Sequence, residues 1–434
     1  MEIRAFKAYR FNSAIAGDTG RCIAPPYDVI NDAQQEELYQ QSTYNIVRID
    51  KGKTHPSDNE TKNQYTRAAE YLADWLKKGV LTQENEDSLY AYVQNFDVAG
   101  ENYQRSGIIA LGKLVEFGSG VQPHEKTLDG PKADRLKLTL ATDAQFGQIF
   151  MLYDDSQKVA DKIIDKTVAE KEAAVDFTDI DNIRHRLFII DDAKDIAAIV
   201  ETMKTKEALI ADGHHRYETA LNYRKMTKKP TADWQMMTFI NMQNEGLIVL
   251  PTHRLIGDLK NFNVDEIIKK LQEDFKVTEF TYAAGEGKEK AKGLMFKRMK
   301  HAFDEGKNAF GIYDDAKFYF IVLKNRKNLE PLTISAASKS LDVVVLHKVI
   351  LERLLGIGDA QLAGETNIEY IKDIGNAVDE AIAAVDKKEK QILFFMNPTK
   401  VEQVKAVAAE NEKMPQKSTF FHPKIFTGLT INKL

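Results

Sequence analysis

The stretch ALIADGHHRYETALNYRKM, from Ala208 to Met226, restricts the fold more than any other part of this chain. Its first residues are short, apolar and partly β-branched, the pattern of a strand, whereas Tyr217, Ala220, Leu221 and Arg224 recur at helical intervals. Between them Asp212-Gly213 predicts a sharp strand-to-helix turn, with Gly213 supplying a positive φ or a close backbone approach. N–H groups at a helix N-terminus lack intrahelical partners and the helix dipole adds partial positive charge, so such a turn suits an anion. Arg216 would add a bidentate grip on phosphate, and His214 or His215 a hydrogen-bond donor or proton shuttle. Adjacent helical residues diverge, so at most one of the two histidines is expected to face a ligand. A plainer reading of the same residues makes Asp212 a helix cap, pairs Arg216 with Glu218 or Glu201, and packs one histidine inside.

Elsewhere the chain mixes strand and helix patterns. NIVRID (Asn45 to Asp50), SLYAYVQNFD (Ser88 to Asp97) and GIIALGKLVEF (Gly107 to Phe117) have the content of strands, and TKNQYTRAAEYLADWLKKG has helical spacing before a terminal glycine. HRLFIIDD reads as a strand and AKDIAAIVETMKTK as a helix just ahead of the turn. The 434 residues, 43% hydrophobic, suffice for two or three domains. We expect a mixed α+β chain in three parts: a main body over 1–254 carrying the site, a small α+β module over 255–330, and a C-terminal return over 331–434.

Charge and cysteine content exclude several classes. Sixty Lys and Arg against 65 Asp and Glu leave a net charge of -5, with no basic run or helix-turn-helix, so direct nucleic-acid binding is not expected. Cys22 is the only cysteine, which excludes an internal disulfide and a thiolate metal cluster and fits a reducing compartment. The first residues lack the apolar run of a signal peptide and no segment approaches a membrane span, so the expectation is a cytoplasmic protein without a membrane partner. Oligomeric state is not legible. Walker A, GxGxxG, HExxH and GxSxG patterns are all missing from the sequence.

Other loops concentrate polar residues. QPHEKTLDGPKADR holds His124, Glu125, Lys126, Thr127 and Asp129 ahead of Arg135; Glu125 suits a general base, and Lys126 and Arg135 suit phosphate neutralisation. The alternative is a solvated loop whose Thr127 and Asp129 cap the next turn. LPTHRLI places His253 and Arg254 after a strand-like run, a pair as readily structural as functional. MPQKSTFFHPK offers Lys417, Ser418 and Thr419 to clamp phosphate or adenine, or else to build a terminal strand. APPYDV stiffens a turn that would set Tyr27 or Asp28 at a cleft mouth, or merely connect two elements.

The run GHHRYETA resembles the glycine, any residue, His, Arg, Tyr, Glu, any residue, Ala pattern of sulfiredoxins, and more loosely the box of ParB nucleotide-binding domains and of free-serine kinases in that superfamily. In those families the turn holds nucleotide phosphates. His214 stands where sulfiredoxins have their reactive cysteine, which argues against peroxiredoxin repair. APPYDVI, HEKT, ADGHHRYETA, LPTHR and MPQKSTFFHPK together resemble the bacterial and archaeal family of domain of unknown function 1015 over nearly the whole chain. The resemblance implies a ParB/sulfiredoxin-like core elaborated by a small inserted α+β module.

The leading expectation is a nucleotide-dependent phosphotransferase acting on a small hydroxylic metabolite such as free serine. Glu125, Asp212, His214 and His215 would be catalytic, and Gly213, Arg216, Lys126, Arg135, Lys417, Ser418 and Thr419 would hold the nucleotide. His124, Tyr27, Asp28, His253 and Arg254 are further candidates. Mg²⁺ would arrive with ATP or ADP and be held by Asp212 and Glu125. The alternatives are a ParB-like nucleotide switch or DNA-associated protein and a metal-dependent hydrolase using the histidines.

Overall fold

The computed structural model describes residues 1–125, 127, 129–283 and 285–434, so the candidate Lys126 lies outside the described residues. The chain is mixed α+β and divides into two compact units. The first comprises Met1–Pro123, Thr127–Ile248 and Pro423–Leu434; the second comprises His124–Lys126 and Val249–His422. The boundary falls at 248/249 rather than after 254, and only Pro423–Leu434 returns to the first unit. The segments expected as separate parts, 255–330 and 331–434, are largely one body because their strands share a sheet. Local periodicity carries no record of such long-range ladders.

Among the described residues the first unit is built on a nine-stranded sheet. Its strands lie in the order Val121–Gln122, Ala208–Asp212, Ile149–Tyr153, Trp234–Asn241, Glu101–Lys113, Leu89–Val98, Arg184–Ile190, Val175–Thr178, and Ile3–Arg4 also pairs with Glu101–Lys113. Ile149–Tyr153 is parallel to Trp234–Asn241 and Ala208–Asp212 to Val121–Gln122, while the remaining neighbours are antiparallel. Ile108, Ile149, Met151, Ile210, Tyr217 and Phe239 lie in one core cluster, and a second gathers Phe11, Ile46, Trp75, Leu138 and Phe146. A fully buried large apolar side chain contributes about 2 kcal/mol, so these clusters hold the sheet and its helices as one body.

NIVRID is not a strand: Val47–Asp50 is a short helix. The Asn45 side chain accepts from Val47 N at 2.9 Å, a local turn, and donates to Arg21 O at 2.8 Å, and these bonds win over the strand propensity of Val47 and Ile49. The other expected strands and helices appear, as Leu89–Val98, Glu101–Lys113, Gln64–Lys77, Arg184–Ile190 and Ala193–Lys204.

The second unit has a six-stranded antiparallel sheet in the order Phe275–Phe280, Phe318–Leu323, Ala309–Tyr313, Ile392–Phe395, Thr252–Ile256, Ile368–Lys372. Ala291, Met295 and Met299 of the helix Glu286–Asp304 belong to the core cluster that includes Tyr313, Phe318 and Phe395. The helical segment beginning at Asp342 changes to π-helical winding over Leu346–Glu352. Among the described residues no helix is long and apolar enough to cross a membrane.

Candidate functional site

The strand Ala208–Asp212 ends at a register shift between Ile210 and Asp212, and the helix His214–Thr227 starts two residues later. Gly213 joins them at φ 92° and ψ 27°. A Cβ there would lie 3.1 Å from Arg216 Nε and 3.2 Å from Arg216 Cζ, so the glycine is needed both for its backbone angle and for the guanidinium lying against it. The first intrahelical bond runs from Tyr217 N to Gly213 O at 3.1 Å. Tyr217 is wholly buried, donates through its hydroxyl to Val115 O at 2.9 Å and accepts from Val115 N at 3.1 Å. This anchor fixes the direction of the helix start.

The plainer reading of the turn holds only for its packed histidine, His214. The N-cap position is Gly213, with no side-chain cap bond; Glu218 pairs with Lys132 at 3.1 Å and accepts from the Thr127 hydroxyl at 2.9 Å, and Glu201 pairs with Lys204. Arg216 donates through Nη1 to Gln148 O and sets Nη2 3.8 Å from Asp212 Oδ2. Its Nε is buried with no hydrogen-bond partner among the described residues. Orphaned buried donors are uncommon in native proteins, and this one sits at a helix N-terminus. His214 is buried, whereas His215 is half-buried.

Lys424 Nζ lies 3.3 Å from Asp212 Oδ2. Burial alone would push the Asp212 carboxyl up, but Lys424, Arg216 and His214 together hold it well below the ordinary carboxylate range. Asp212 is therefore an ionised carboxylate flanked by two cations. Burial pushes His215 down against the opposing pull of Asp28 and Glu218, leaving a neutral imidazole at pH 7. Arg105, 1% exposed, bonds Gln94 and lies 4.9 Å over the Phe150 ring; its burial pushes its pKa down to about 9 while Tyr92 and Asp212 oppose that shift.

Arg135 and Tyr27 are neighbours, with Arg135 Cζ 3.8 Å over the tyrosine ring. Arg135 also bonds Asp50 at 2.9 Å and Asp134 at 2.5 Å, so two carboxylates already neutralise the charge assigned to phosphate. Asp28 is exposed on the short helix Tyr27–Val29. A cavity of about 50 Å³ is lined by Arg216, Arg135 and Asp50. A second, of about 630 Å³, shares Asp50 and Arg135 and adds Tyr27, Lys51, Lys53 and His55. The larger one is within the ~300–1,000 Å³ usual for small-molecule sites.

The remaining candidates belong to the second unit. There His124 Nε2 meets Thr419 Oγ1 at 3.0 Å, Glu125 Oε1 accepts from Lys417 N at 3.1 Å, and Arg254 Nη2 donates to Lys417 O at 3.0 Å. Ser418 Oγ donates to Pro415 O, and His253 Nδ1 accepts from Met396 N at 3.0 Å. Three stretches separated in sequence thus meet through backbone contacts, with Glu125 accepting an amide proton. Lys424, absent from the expected site residues although it closes the MPQKSTFFHPK run, is in the first unit beside Asp212. Nothing in its spacing distinguishes it from Lys417.

The sequence profile of the DUF1015 family, described as a protein of unknown function, matches residues 3–344. The chain belongs to the DUF1015 family. This DUF1015 member is similar to a solved free serine kinase variant in complex with ADP, at 13% identity over 71% of this chain and 89% of that one, with a TM-score of 0.33. It is also similar to a conserved hypothetical protein from Pyrococcus furiosus, at 14% identity over 71% and 91% with a TM-score of 0.31. For SbnI with a C-terminal truncation from Staphylococcus aureus the values are 10%, 73%, 86% and 0.31. No curated protein matches the chain.

Proposed function

We propose that the first unit is a nucleotide-dependent phosphotransferase, with donor phosphates on the Asp212–Arg216 turn and a small hydroxylic metabolite, such as free serine, as acceptor. The observation that carries this reading is the unpartnered Nε of Arg216, pinned against Gly213 at a helix N-terminus. A phosphate oxygen there satisfies that donor and meets the N-terminal amides of the helix. The likeness of GHHRYETA to nucleotide-binding boxes supports the same assignment.

Phosphoryl transfer needs positioning and charge stabilisation more than covalent chemistry from the protein. Arg216 and Lys424 supply positive charge, and Asp212 keeps both cations oriented. The neutral His215 donates a hydrogen bond without adding charge. In this reading the base is Asp28, whose charge acts on His215, in place of Glu125, which belongs to the second unit. The acceptor hydroxyl gives its proton to Asp28, its oxygen bonds the γ-phosphorus, and the bond to the β,γ-bridging oxygen breaks to release the nucleoside diphosphate.

Among the described residues no three His, Cys, Asp or Glu side chains converge as a metal cage. One ionised carboxylate at the turn, Asp212, fits an ion carried in by the phosphates. Mg²⁺ bound in that way supplies charge neutralisation on the phosphate oxygens.

Calorimetric titration of the full chain with ATP and ADP, with and without Mg²⁺, tests the reading. Arg216→Ala should weaken nucleotide binding by roughly tenfold or more, the value of a charge-assisted hydrogen bond. Asp28→Asn should retain nucleotide affinity and lose ADP formation with serine as acceptor. Equal nucleotide affinity in wild type and Arg216→Ala would remove the central premise, and binding without ADP formation would leave a nucleotide switch.

A further inference from the structure

The sequence singled out Arg254, and the proposed phosphotransferase does not use it. It lies on the strand Thr252–Ile256 and is 1% exposed. Its guanidinium donates to Thr252 O and Lys417 O and lies 4.7 Å from the Tyr370 ring centre. None of the described carboxylates pairs with it. Burial pushes its pKa down to about 10, which leaves it charged at neutral pH. A buried cation without a counter-ion is costly, and its persistence calls for an anion or a strong acceptor nearby.

The third hydrogen bond of Arg254 goes to His347: Arg254 Nε donates to His347 Nε2 over a long 3.4 Å. Since Nε–H can only donate, the imidazole carries its own proton on Nδ1. Burial, followed by the charges of Arg254 and Lys348, pushes the His347 pKa well down, so the ring is neutral. Its Nδ1 has no hydrogen-bond partner among the described residues. His347 is 4% exposed and lines a cavity of about 570 Å³. It sits in the π-helical stretch Leu346–Glu352, a winding that is rare and recurs at functional sites.

We propose that this cavity is a second ligand site, in which the His347 Nδ1–H, polarised by Arg254, binds the carboxylate of a small molecule with an apolar body. Val344, Leu362 and Met414 supply the apolar wall. Three of the charged residues at the rim are already engaged: Lys348 pairs with Glu352 at 2.7 Å and Asp359 at 3.1 Å, and Glu412 accepts from Ser335 Oγ at 2.8 Å and from Ser338. One N–H donor backed by one cation matches a monoanion better than a phosphate dianion, which asks for several donors. The site lies wholly within the second unit and does not rest on the phosphotransferase reading.

The test is calorimetric titration of the full chain with hexanoate, hexan-1-ol and acetate, which separate charge from apolar body. Hexanoate should bind roughly tenfold tighter than either control, the worth of one hydrogen bond to a charged group. Arg254→Met should remove that preference and leave the hexanol affinity, which also reports that the variant is folded. Leu362→Trp, which fills the cavity, should abolish hexanoate binding. Equal affinity for hexanoate and hexanol, no binding of hexanoate, or unchanged hexanoate binding in Leu362→Trp would each overturn the proposal.

Discussion

Two buried arginines, each over a tyrosine ring, mark two ways of holding a charge inside this chain. Arg135 in the first unit stacks on Tyr27 and has Asp50 and Asp134 as anionic partners. Arg254 in the second stacks on Tyr370 and has two backbone carbonyls and an imidazole. The sequence context gave both the same flag, an arginine in a polar stretch near a helix or strand end. Their surroundings differ in charge balance: the Arg135 cluster is neutralised within the protein, whereas the Arg254 cluster keeps a net positive charge that a ligand can use. A buried arginine is therefore informative only once its counter-charges have been found.

The largest expected effect follows directly. Arg135→Met takes the hydrogen-bonded cation from buried Asp50 and leaves only the charge of Arg216 acting on it, and breaking a buried pair in this way costs about 3–5 kcal/mol. Trp75 and Trp234 both lie in the first unit, so urea unfolding followed by tryptophan fluorescence reads that cost. Burial already pushes the Asp50 carboxyl up against the pull of Arg135, so the variant should take up a proton there on acidification and the gap from wild type should narrow. Arg254→Met orphans no anion and roughly conserves volume, so it should cost under about 1.5 kcal/mol. Hydrogen exchange of the segment 342–356 would measure it. Equal costs at the two sites would break the distinction.

Gly213→Ala is expected to fall between these. The left-handed backbone costs an alanine about 1–2 kcal/mol, and its Cβ would press on the Arg216 guanidinium from 3.1 Å. The same tryptophan-detected unfolding should show the loss. A variant as stable as wild type would mean that the turn can relax, and that Arg216 is held less firmly than its contacts suggest.

The turn was legible because everything that makes it is local: a β-branched run, an Asp-Gly pair and a helical period. Lys424 was not, since its pairing with Asp212 exists only after the C-terminal segment returns to the first unit, and its neighbours Lys417 to Thr419 belong to the second. The counter-charges of Arg135 were hidden for the same reason, because Asp50 comes from a stretch with strand-like patterning. There Asn45 bonds its own neighbours and starts a helical turn that apolar patterning does not reveal. The mixed α+β class survived these errors, because it depends on which elements exist rather than on which side chains meet.

Acid should separate the two regions by the smallest and most specific margin. Lys424, Arg216 and His214 outweigh burial to depress the Asp212 carboxyl, so its folded-state pKa lies below the ordinary value of about 3.9. A depressed carboxylate contributes stability that is fully present above its unfolded pKa and is lost as pH falls through its folded pKa. His215, depressed chiefly by burial, acts in the same direction at higher pH, beginning below about 6.5. Asp212→Asn removes the carboxylate: tryptophan-detected unfolding should be flatter in the variant than in wild type below about pH 4. Among the described residues no carboxylate pairs with Arg254, so protection of its strand should not depend on this substitution. An identical slope in Asp212→Asn and wild type would show that Lys424 and Arg216 do not depend on Asp212 for their stability, and the charge balance assigned to the turn would fail.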